Sequence, residues 1–380
     1  MNYLNLYDSV AVDDVDGFFV FYTALLNGMN IQRMPGQLFL ITNHKTPDAK
    51  TAFVHSVAQS TRLSTTTFVL QKRFRRVLFQ QAKIAMPPAA TFSFFSKLDP
   101  IKYARKIEYP VVAKEMFGEN PAYGIYDINN KSELKLAIDK VRRHLPVNSE
   151  KAPSSYAQTI NLGSAESLDE NTRIKSVKSR FLIEKQLKGN LYRAYVIGGN
   201  VDLVVEINKE SFSQVATFNA NVADLAKAAV DAIPGIVNAA VDIVQADDGK
   251  CYLVEFSERL LTPHKISNQD ELTIFERIFQ KQLESELILA GCDISKKRAK
   301  VKYSLFISGV TDFESFKSKV KNIMLKFNIS VGFLNEDHVL GKLEAEIHGQ
   351  AENIALSIEE ILQEEHASHM SFIRKLFFKK

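Results

Sequence analysis

Two acidic residues past the middle of the chain have the spacing to face each other on a β-hairpin. Two largely apolar segments, residues 239–245 and 250–256, flank the dipeptide Asp248-Gly249. Asp-Gly is typical of a two-residue type I′ turn, and this turn places Asp242 opposite Glu255. Like charges that face each other destabilise a strand pair unless something neutralises them.

Binding of a divalent cation is the chemistry that suits such a pair. Hard cations such as Mg²⁺ prefer carboxylate oxygens as ligands. The alternative is that both acids project into solvent or pair with lysine and arginine side chains. The apolar neighbours Val241, Ile243, Val254 and Phe256 indicate buried strands and favour the cation.

The elements that must position this hairpin are helices and buried strands. A helix over residues 65–86 is predicted to end before two consecutive prolines, and strands are predicted over residues 109–114, 181–184 and 193–197. A further helix over residues 269–290 follows the hairpin, with Asn268 as its N-cap.

The hairpin sequence is similar to that of a known enzyme family. Val-Asp-Ile-Val followed by Tyr-Leu-Val-Glu-Phe-Ser resembles the closing element of ATP-grasp enzymes, in which an Asp and a later Glu-x-Asn bind the magnesium ions of ATP. The resemblance implies Asp242, Glu255 and Ser257 as magnesium ligands. Ser257 stands where the family usually has Asn, and its hydroxyl is a weaker ligand.

Further matches in the same order along the chain imply contacts to ATP. Lys114, in Tyr-Pro-Val-Val-Ala-Lys, corresponds to the strand lysine that contacts the α and β phosphates, and Lys72 to a second phosphate-contacting lysine. The segment with Glu184, Lys185 and Leu187 resembles the hinge that binds adenine. For Lys72, the alternative is the solvated face of an amphipathic helix.

Two arginines are implied to act on the reacting groups. Gly-Asn-Leu-Tyr-Arg, which ends at Arg193, resembles the family segment whose arginine approaches the γ-phosphate. Arg259 follows the hairpin and is interpreted as a ligand for the acceptor carboxylate or the acyl phosphate, with a structural role as the alternative. Leu191 occupies the position of the acid that holds the ribose in many relatives, so ribose recognition is expected to differ.

The predicted fold class is α+β: an ATP-grasp fold with two α+β lobes around a nucleotide cleft, and a C-terminal ferredoxin-like domain. The C-terminal element order strand, helix, strand, strand, helix is ferredoxin-like, and the segment resembles acylphosphatases without their catalytic arginine. The predicted divisions are an N-terminal α/β lobe (1–62), the ATP-grasp domain (63–290), a linker (291–300), the acylphosphatase-like domain (301–365) and a basic aromatic tail (366–380).

Composition excludes several classes of protein. The hydrophobic share of 46% and the charged share of 24% are those of a globular protein. Cys251 and Cys292 are too few for a disulfide framework, which favours a reducing compartment, and we predict a cytoplasmic location. A net charge of +4 without a long basic stripe argues against nucleic acid as a partner. The tail is interpreted as frayed or docked rather than bound to a membrane.

The predicted function is an ATP- and magnesium-dependent carboxylate–amine ligase, closest to the cyanophycin-synthetase branch. It would act through an acyl phosphate on a small-molecule amino acid or peptide. The alternative is a degenerate ATP-grasp protein that binds a nucleotide as a sensor or scaffold. Four departures from the family permit that alternative: Ser257, Leu191, the segment Glu258-Arg259 and an N-terminal lobe shorter than usual. Whether the chain forms a homo-oligomer stays open.

Overall fold

The computed structural model describes residues 10, 14–34, 37–43, 46, 48–96, 98–116, 124–144, 180–207, 212–214, 220–260, 268–292 and 300–362. Its contacts divide the chain into two compact units, Gln59–Leu261 on one side and Met1–Ala58 with Thr262–Lys380 on the other. Within the described ranges, none of the helices combines the length and apolar character needed to span a bilayer.

The described part of the chain alternates helices and strands. The helices are α1 (Val15–Leu26), α2 (Leu63–Leu70), α3 (Lys72–Gln81), α4 (Asp99–Lys106), α5 (Lys131–His144), α6 (Ala220–Asp231), α7 (Gln269–Leu289), α8 (Phe313–Lys326) and α9 (351–362). The strands are β1 (Asn30–Met34), β2 (Leu38–Thr42), β3 (Lys50–Val54), β4 (Val57–Ala58), β5 (Ala89–Ser93), β6 (Val111–Glu115), β7 (Ile125–Ile128), β8 (Arg180–Lys185), β9 (Gly189–Ile197), β10 (Asn200–Ile207), β11 (Phe212–Gln214), β12 (Ala239–Ala246), β13 (Cys251–Ser257), β14 (Lys300–Ser308), β15 (Ser330–Asp337) and β16 (Lys342–Gln350).

The unit formed by residues 59–261 contains two antiparallel sheets. One has the strand order β5-β8-β6-β7 and the other β11-β10-β9-β12-β13. Helix α6 packs on the second sheet, and α4 and α5 pack on the first. The hairpin between β9 and β10 turns at Gly198 and Gly199, both with positive φ (58° and 78°), as a type I′ turn requires of its two central residues.

The predicted helix over residues 65–86 is wrong as a single element. It is divided into α2 and α3 at Gln71, whose backbone is extended (φ −92°, ψ 95°). The amide of Lys72 leaves the helical pattern and donates to the carbonyl of Met116 (3.1 Å). This break buries the Lys72 side chain, which is only 3% exposed, so the alternative of a solvated face for Lys72 is contradicted.

The other unit joins the N-terminal segment to the C-terminal part of the chain. Helices α1 and α7 pack together through stacked aromatic rings, and the ring centroids of Phe19 and Phe279 are 5.3 Å apart. Asn268 caps α7 as predicted, since its Oδ1 accepts from the amide of Glu271 (2.9 Å). The contacts therefore place α7 with residues 1–58 rather than in the predicted domain 63–290, because its apolar face is covered by α1.

Residues 300–362 contain the predicted element order β14, α8, β15, β16, α9. Their sheet has the order β14-β16-β15 and is antiparallel throughout. Asp312 caps α8 through the amide of Ser315 (3.0 Å). The resemblance of this segment to acylphosphatases stays a prediction. The predicted tail over residues 366–380 lies outside the described residues.

Candidate functional site

The hairpin of β12 and β13 pairs Asp242 with Glu255, as predicted. The predicted two-residue loop is wrong, however, because the chain reverses over three residues, Asp247 to Gly249. The amide of Ala246 donates to the carbonyl of Lys250, and the amide of Gly249 to that of Ala246 (both 2.8 Å). Such a loop requires a left-handed last residue, and Gly249 supplies it (φ 81°).

A β-bulge restores the register that the longer loop would have shifted. Ile243 pairs with Leu253, whereas the preceding Asp242 pairs with Glu255, so Val254 is an extra residue on β13. A bulge of this kind leaves one residue unpaired in the ladder. The carbonyl of Val254 accepts from the Lys114 ammonium instead (3.3 Å). The loop is one residue longer than predicted and β13 contains one extra residue, so Asp242 and Glu255 still pair.

Asp242 is bound by an arginine from the neighbouring strand. Arg193 on β9 lies directly opposite Asp242, and its guanidinium forms a bidentate pair with the carboxylate, Nε–Oδ1 2.6 Å and Nη2–Oδ2 2.8 Å. Both side chains are buried, at 4% and 7% exposure. The carboxylate raises the pKa of Arg193 against the opposing effect of burial, so this guanidinium is charged and held on Asp242.

Glu255 is bound by a second arginine, Arg75 on α3. One nitrogen of Arg75 forms an ion pair with Glu255 Oε1. Another donates to the carbonyls of Phe256 (2.6 Å) and Val69 (3.3 Å). Although burial alone would raise the pKa of Glu255, the cations Arg75, Lys72 and Lys114 lower it to about 2. Glu255 is therefore an ionised carboxylate that is neutralised by basic side chains.

A third carboxylate, Glu184 on β8, connects two further cations. Its Oε1 accepts from Lys114 and its Oε2 from Arg76, both at 2.8 Å. Arg76 also donates to the carbonyl of Pro87 (2.7 Å). Lys114 reaches Glu255 as well (3.9 Å). Lys114 thus joins the Glu184 and Glu255 carboxylates, and these contacts raise its pKa although burial alone would lower it.

Most of these side chains, but not Arg193 and Asp242, line a small pocket inside the unit 59–261, with a cavity volume of about 20 Å³. Its walls combine charged and apolar groups: Lys72, Arg75, Arg76, Lys114, Glu184, Glu255, Phe79, Met86, Leu182, Leu253, Val254 and Phe256. Burial lowers the pKa of Lys72, and the nearby Glu255 opposes the shift. The pocket therefore offers an apolar surface beside an excess of basic groups.

The other predicted site residues are not part of the pocket walls. Lys185 donates to the backbone carbonyls of Glu108 (3.0 Å) and Tyr109 (3.2 Å) and so fixes a neighbouring loop. Leu187 is half-buried. The hydroxyl of Ser257 accepts from the backbone amide of half-buried Arg259 (3.0 Å), which closes a local turn.

The arrangement does not fit the predicted magnesium ion. Asp242 and Glu255 lie side by side, but each carboxylate is occupied by a guanidinium group. Over the ranges that the structure describes, no group of three or more His, Cys, Asp or Glu side chains could hold a metal ion. Ser257 does not complete such a set. Of the two readings of the acidic pair, pairing with basic side chains matches the observed contacts.

Arg75 and Arg76 were not predicted as site residues. Both lie on the face of α3 that also carries Lys72, at the helical spacing of three and four residues. The run Lys-Arg-Phe-Arg-Arg is usually a solvated helix face. Charge balance could have indicated them. Three acids on buried strands need basic partners, and this run is a cluster of basic residues.

Glu115 next to the pocket predicts a pH dependence of stability. Burial raises its pKa to about 7, against the effect of Lys72 and helped by Glu255. The neutral acid is favoured in the folded state, so its contribution to the free energy of unfolding is complete below pH about 4.5 and is lost as the pH rises through about 7. We expect Glu115→Gln to flatten this fall in urea titrations at about pH 5 and about pH 8. An unchanged slope would contradict the assignment.

No protein-family model matches the sequence, and no curated protein does. Among solved structures, the chain is similar to D-alanine–D-alanine ligase from Bacillus anthracis (14% identity, 61% of this chain and 71% of that chain, TM-score 0.42) and to the same enzyme complexed with ATP (15%, 61% and 69%, 0.43). It is also similar to the D-alanine–D-alanine ligase from Coxiella burnetii (11%, 61% and 61%, 0.44). The similarity concerns the fold alone.

Proposed function

We propose that residues 59–261 bind ATP and that the protein is an ATP-dependent carboxylate–amine ligase. The observation that supports this proposal is the pocket in which apolar side chains adjoin the buried ammonium groups of Lys72 and Lys114. A nucleotide has the matching chemistry, since its base is flat and largely apolar and its phosphates are anionic.

The apolar wall suits the adenine. Phe79, Met86, Leu182, Leu253 and Phe256 line one part of the pocket, whose cavity volume is about 20 Å³, roughly the space of one water molecule. These side chains would have to move apart to admit a planar base, and the phosphates would then extend towards the cations.

The basic side suits the phosphates. Lys72 and Lys114 are buried within the pocket, and Arg76 adds a planar guanidinium beside them. Charge-assisted contacts are stronger than neutral hydrogen bonds, and they are less screened by salt where water is excluded. These groups would bind and orient the phosphate chain and would offset the charge that develops during phosphoryl transfer.

The ligation that we propose has two steps. A substrate carboxylate oxygen attacks the γ-phosphorus, ADP leaves, and an acyl phosphate forms. The amine of an amino acid or peptide then attacks the acyl carbon, phosphate leaves, and the amine loses a proton. The chain contributes position and charge neutralisation. We assign Arg259, which is half-buried beyond β13, to the acceptor carboxylate.

A second candidate is a nucleotide-binding regulator without ligase activity. Arg75 and Arg193 occupy the two carboxylates that would be needed for metal-assisted transfer. Ser257 accepts a hydrogen bond from its own turn. Both observations favour binding without chemistry.

Calorimetric titration with ATP tests the binding that both candidates share. We expect ATP to bind, and adenosine and inorganic triphosphate each to bind more weakly, because each fills only one side of the pocket. A protein that does not bind ATP would exclude both candidates. ADP release in a panel of amino acids and peptides would support the ligase, whereas binding without release across that panel would favour the regulator.

A further inference from the structure

The paired carboxylates point to an unusual mode of nucleotide binding, which rests on the ATP binding proposed above. We propose that the phosphates are bound without a divalent cation, because the guanidinium groups of Arg75 and Arg193 hold the two carboxylates that a cation would use. The consequence is a nucleotide site whose affinity does not depend on magnesium.

Arg75 is anchored by more than its ion pair. Besides Glu255, its guanidinium contacts the carbonyl oxygens of Phe256 and Val69, and the residue is 5% exposed. A cation at Glu255 would have to displace a guanidinium that also satisfies two backbone carbonyls. Loss of those hydrogen bonds in a buried place is costly.

Arg193 is fixed even more tightly on Asp242. The two residues are directly opposed on adjacent central strands, so the backbone ladder itself holds them together. Both carboxylate oxygens accept from the guanidinium. A bidentate pair of this geometry uses the oxygens that a metal would need, and breaking it would leave two buried charges without compensation.

The pocket already carries the positive charge that a cation usually brings. Its walls contain four basic side chains and two carboxylates, so the formal excess is positive. Each guanidinium compensates the single negative charge of the carboxylate that it pairs with. The repulsion between Glu255 and phosphates near the lysines is thereby reduced, although it is not abolished.

The test compares ATP binding to the wild-type chain in excess EDTA and in excess magnesium chloride, at equal ionic strength because salt screens charge. We expect the two Kd values to agree within about threefold. Binding that occurs only with magnesium would overturn the cation-free site and leave the proposed ATP binding intact. Absence of binding under both conditions would remove the ATP proposal itself and this inference with it.

The substitution Glu255→Gln tests whether Glu255 anchors Arg75 or binds a metal ion, because the two roles predict opposite changes in ATP affinity. The amide can still accept from Arg75, and one negative charge beside the phosphates is gone. We expect ATP to bind about three- to tenfold more tightly in EDTA. A metal ligand would give the opposite result, weaker binding in magnesium, and that outcome would overturn the proposal.

Arg75→Met should create the cation dependence that the wild-type chain lacks. It exposes the Glu255 carboxylate, so we expect ATP binding in EDTA to be at least about tenfold weaker than in magnesium. Arg73→Met is the matched control, because Arg73 is exposed on the same helix and should bind ATP like the wild type under both conditions. If Arg75→Met does not fold, as judged by circular dichroism, Glu255→Gln decides the question.

Discussion

Replacing Lys114 with methionine is expected to weaken ATP binding by about 10- to 100-fold, since a contact to a charged group contributes roughly 1.5–3 kcal/mol. Lys114 is buried in the pocket, between the carboxylates of Glu184 and Glu255. Methionine retains an apolar chain of similar length but no charge. The variant therefore removes a phosphate ligand and also leaves two acids less well compensated. The first effect removes an attraction to the polyphosphate, and the second adds a repulsion.

Calorimetry of the Lys114→Met variant against ATP measures this loss. The matched control is Lys250→Met, because Lys250 is a largely exposed lysine of the same unit that pairs only with the surface carboxylate of Asp248 among its described contacts. Circular dichroism must show that both variants retain the native secondary structure. Unchanged ATP affinity in a folded Lys114→Met protein would remove this lysine from the phosphate site.

Removing Arg193 should have the largest effect on stability. Arg193→Met leaves the Asp242 carboxylate buried without its bidentate partner, and breaking a buried pair in this way costs about 3–5 kcal/mol. The double variant Arg193→Met/Asp242→Leu replaces the pair by two apolar side chains, and we expect it to recover most of that free energy of unfolding. The reason is that the cost comes from an uncompensated charge rather than from a lost attraction.

Urea unfolding of the single and double variants tests this expectation. Lys227→Met is the control, because the pair of Lys227 with Asp231 is exposed on α6 and such a pair contributes only about 0.3–0.5 kcal/mol. If Arg193→Met unfolds at the same urea concentration as the wild type, the pair does not hold β9 and β12 together. If the double variant is less stable than the single one, the electrostatic explanation is wrong.

The regular elements of the chain were well predicted where a local signal specified them. The Asn268 cap and the element order from β14 to α9 follow from residues that are close in sequence. The predicted helix over residues 65–86 failed at Gln71. At this break the amide of Lys72 donates to the carbonyl of Met116, more than forty residues away. Hydrophobic periodicity does not predict a contact between residues so far apart in sequence.

Only part of the candidate site was predicted, and its ion pairs were not. Lys72, Lys114, Glu184 and Glu255, which were predicted as nucleotide contacts or a metal ligand, line one pocket, and their binding roles stay predictions. The hairpin spacing indicated that Asp242 and Glu255 would be neighbours, and they are. The compensating charge was expected from a metal ion, whereas the structure supplies it from arginine side chains.

By itself, then, the sequence determined that two acids face each other and that their charge must be neutralised, because both follow from strand periodicity and a turn signal. Tertiary structure alone decided what neutralises them. Arg193 reaches Asp242 through the pairing of β9 with β12, and Arg75 reaches Glu255 because α3 packs over β13. The physical reason is that ion pairing depends on distance in space, and a buried charge takes the partner that the fold brings within reach.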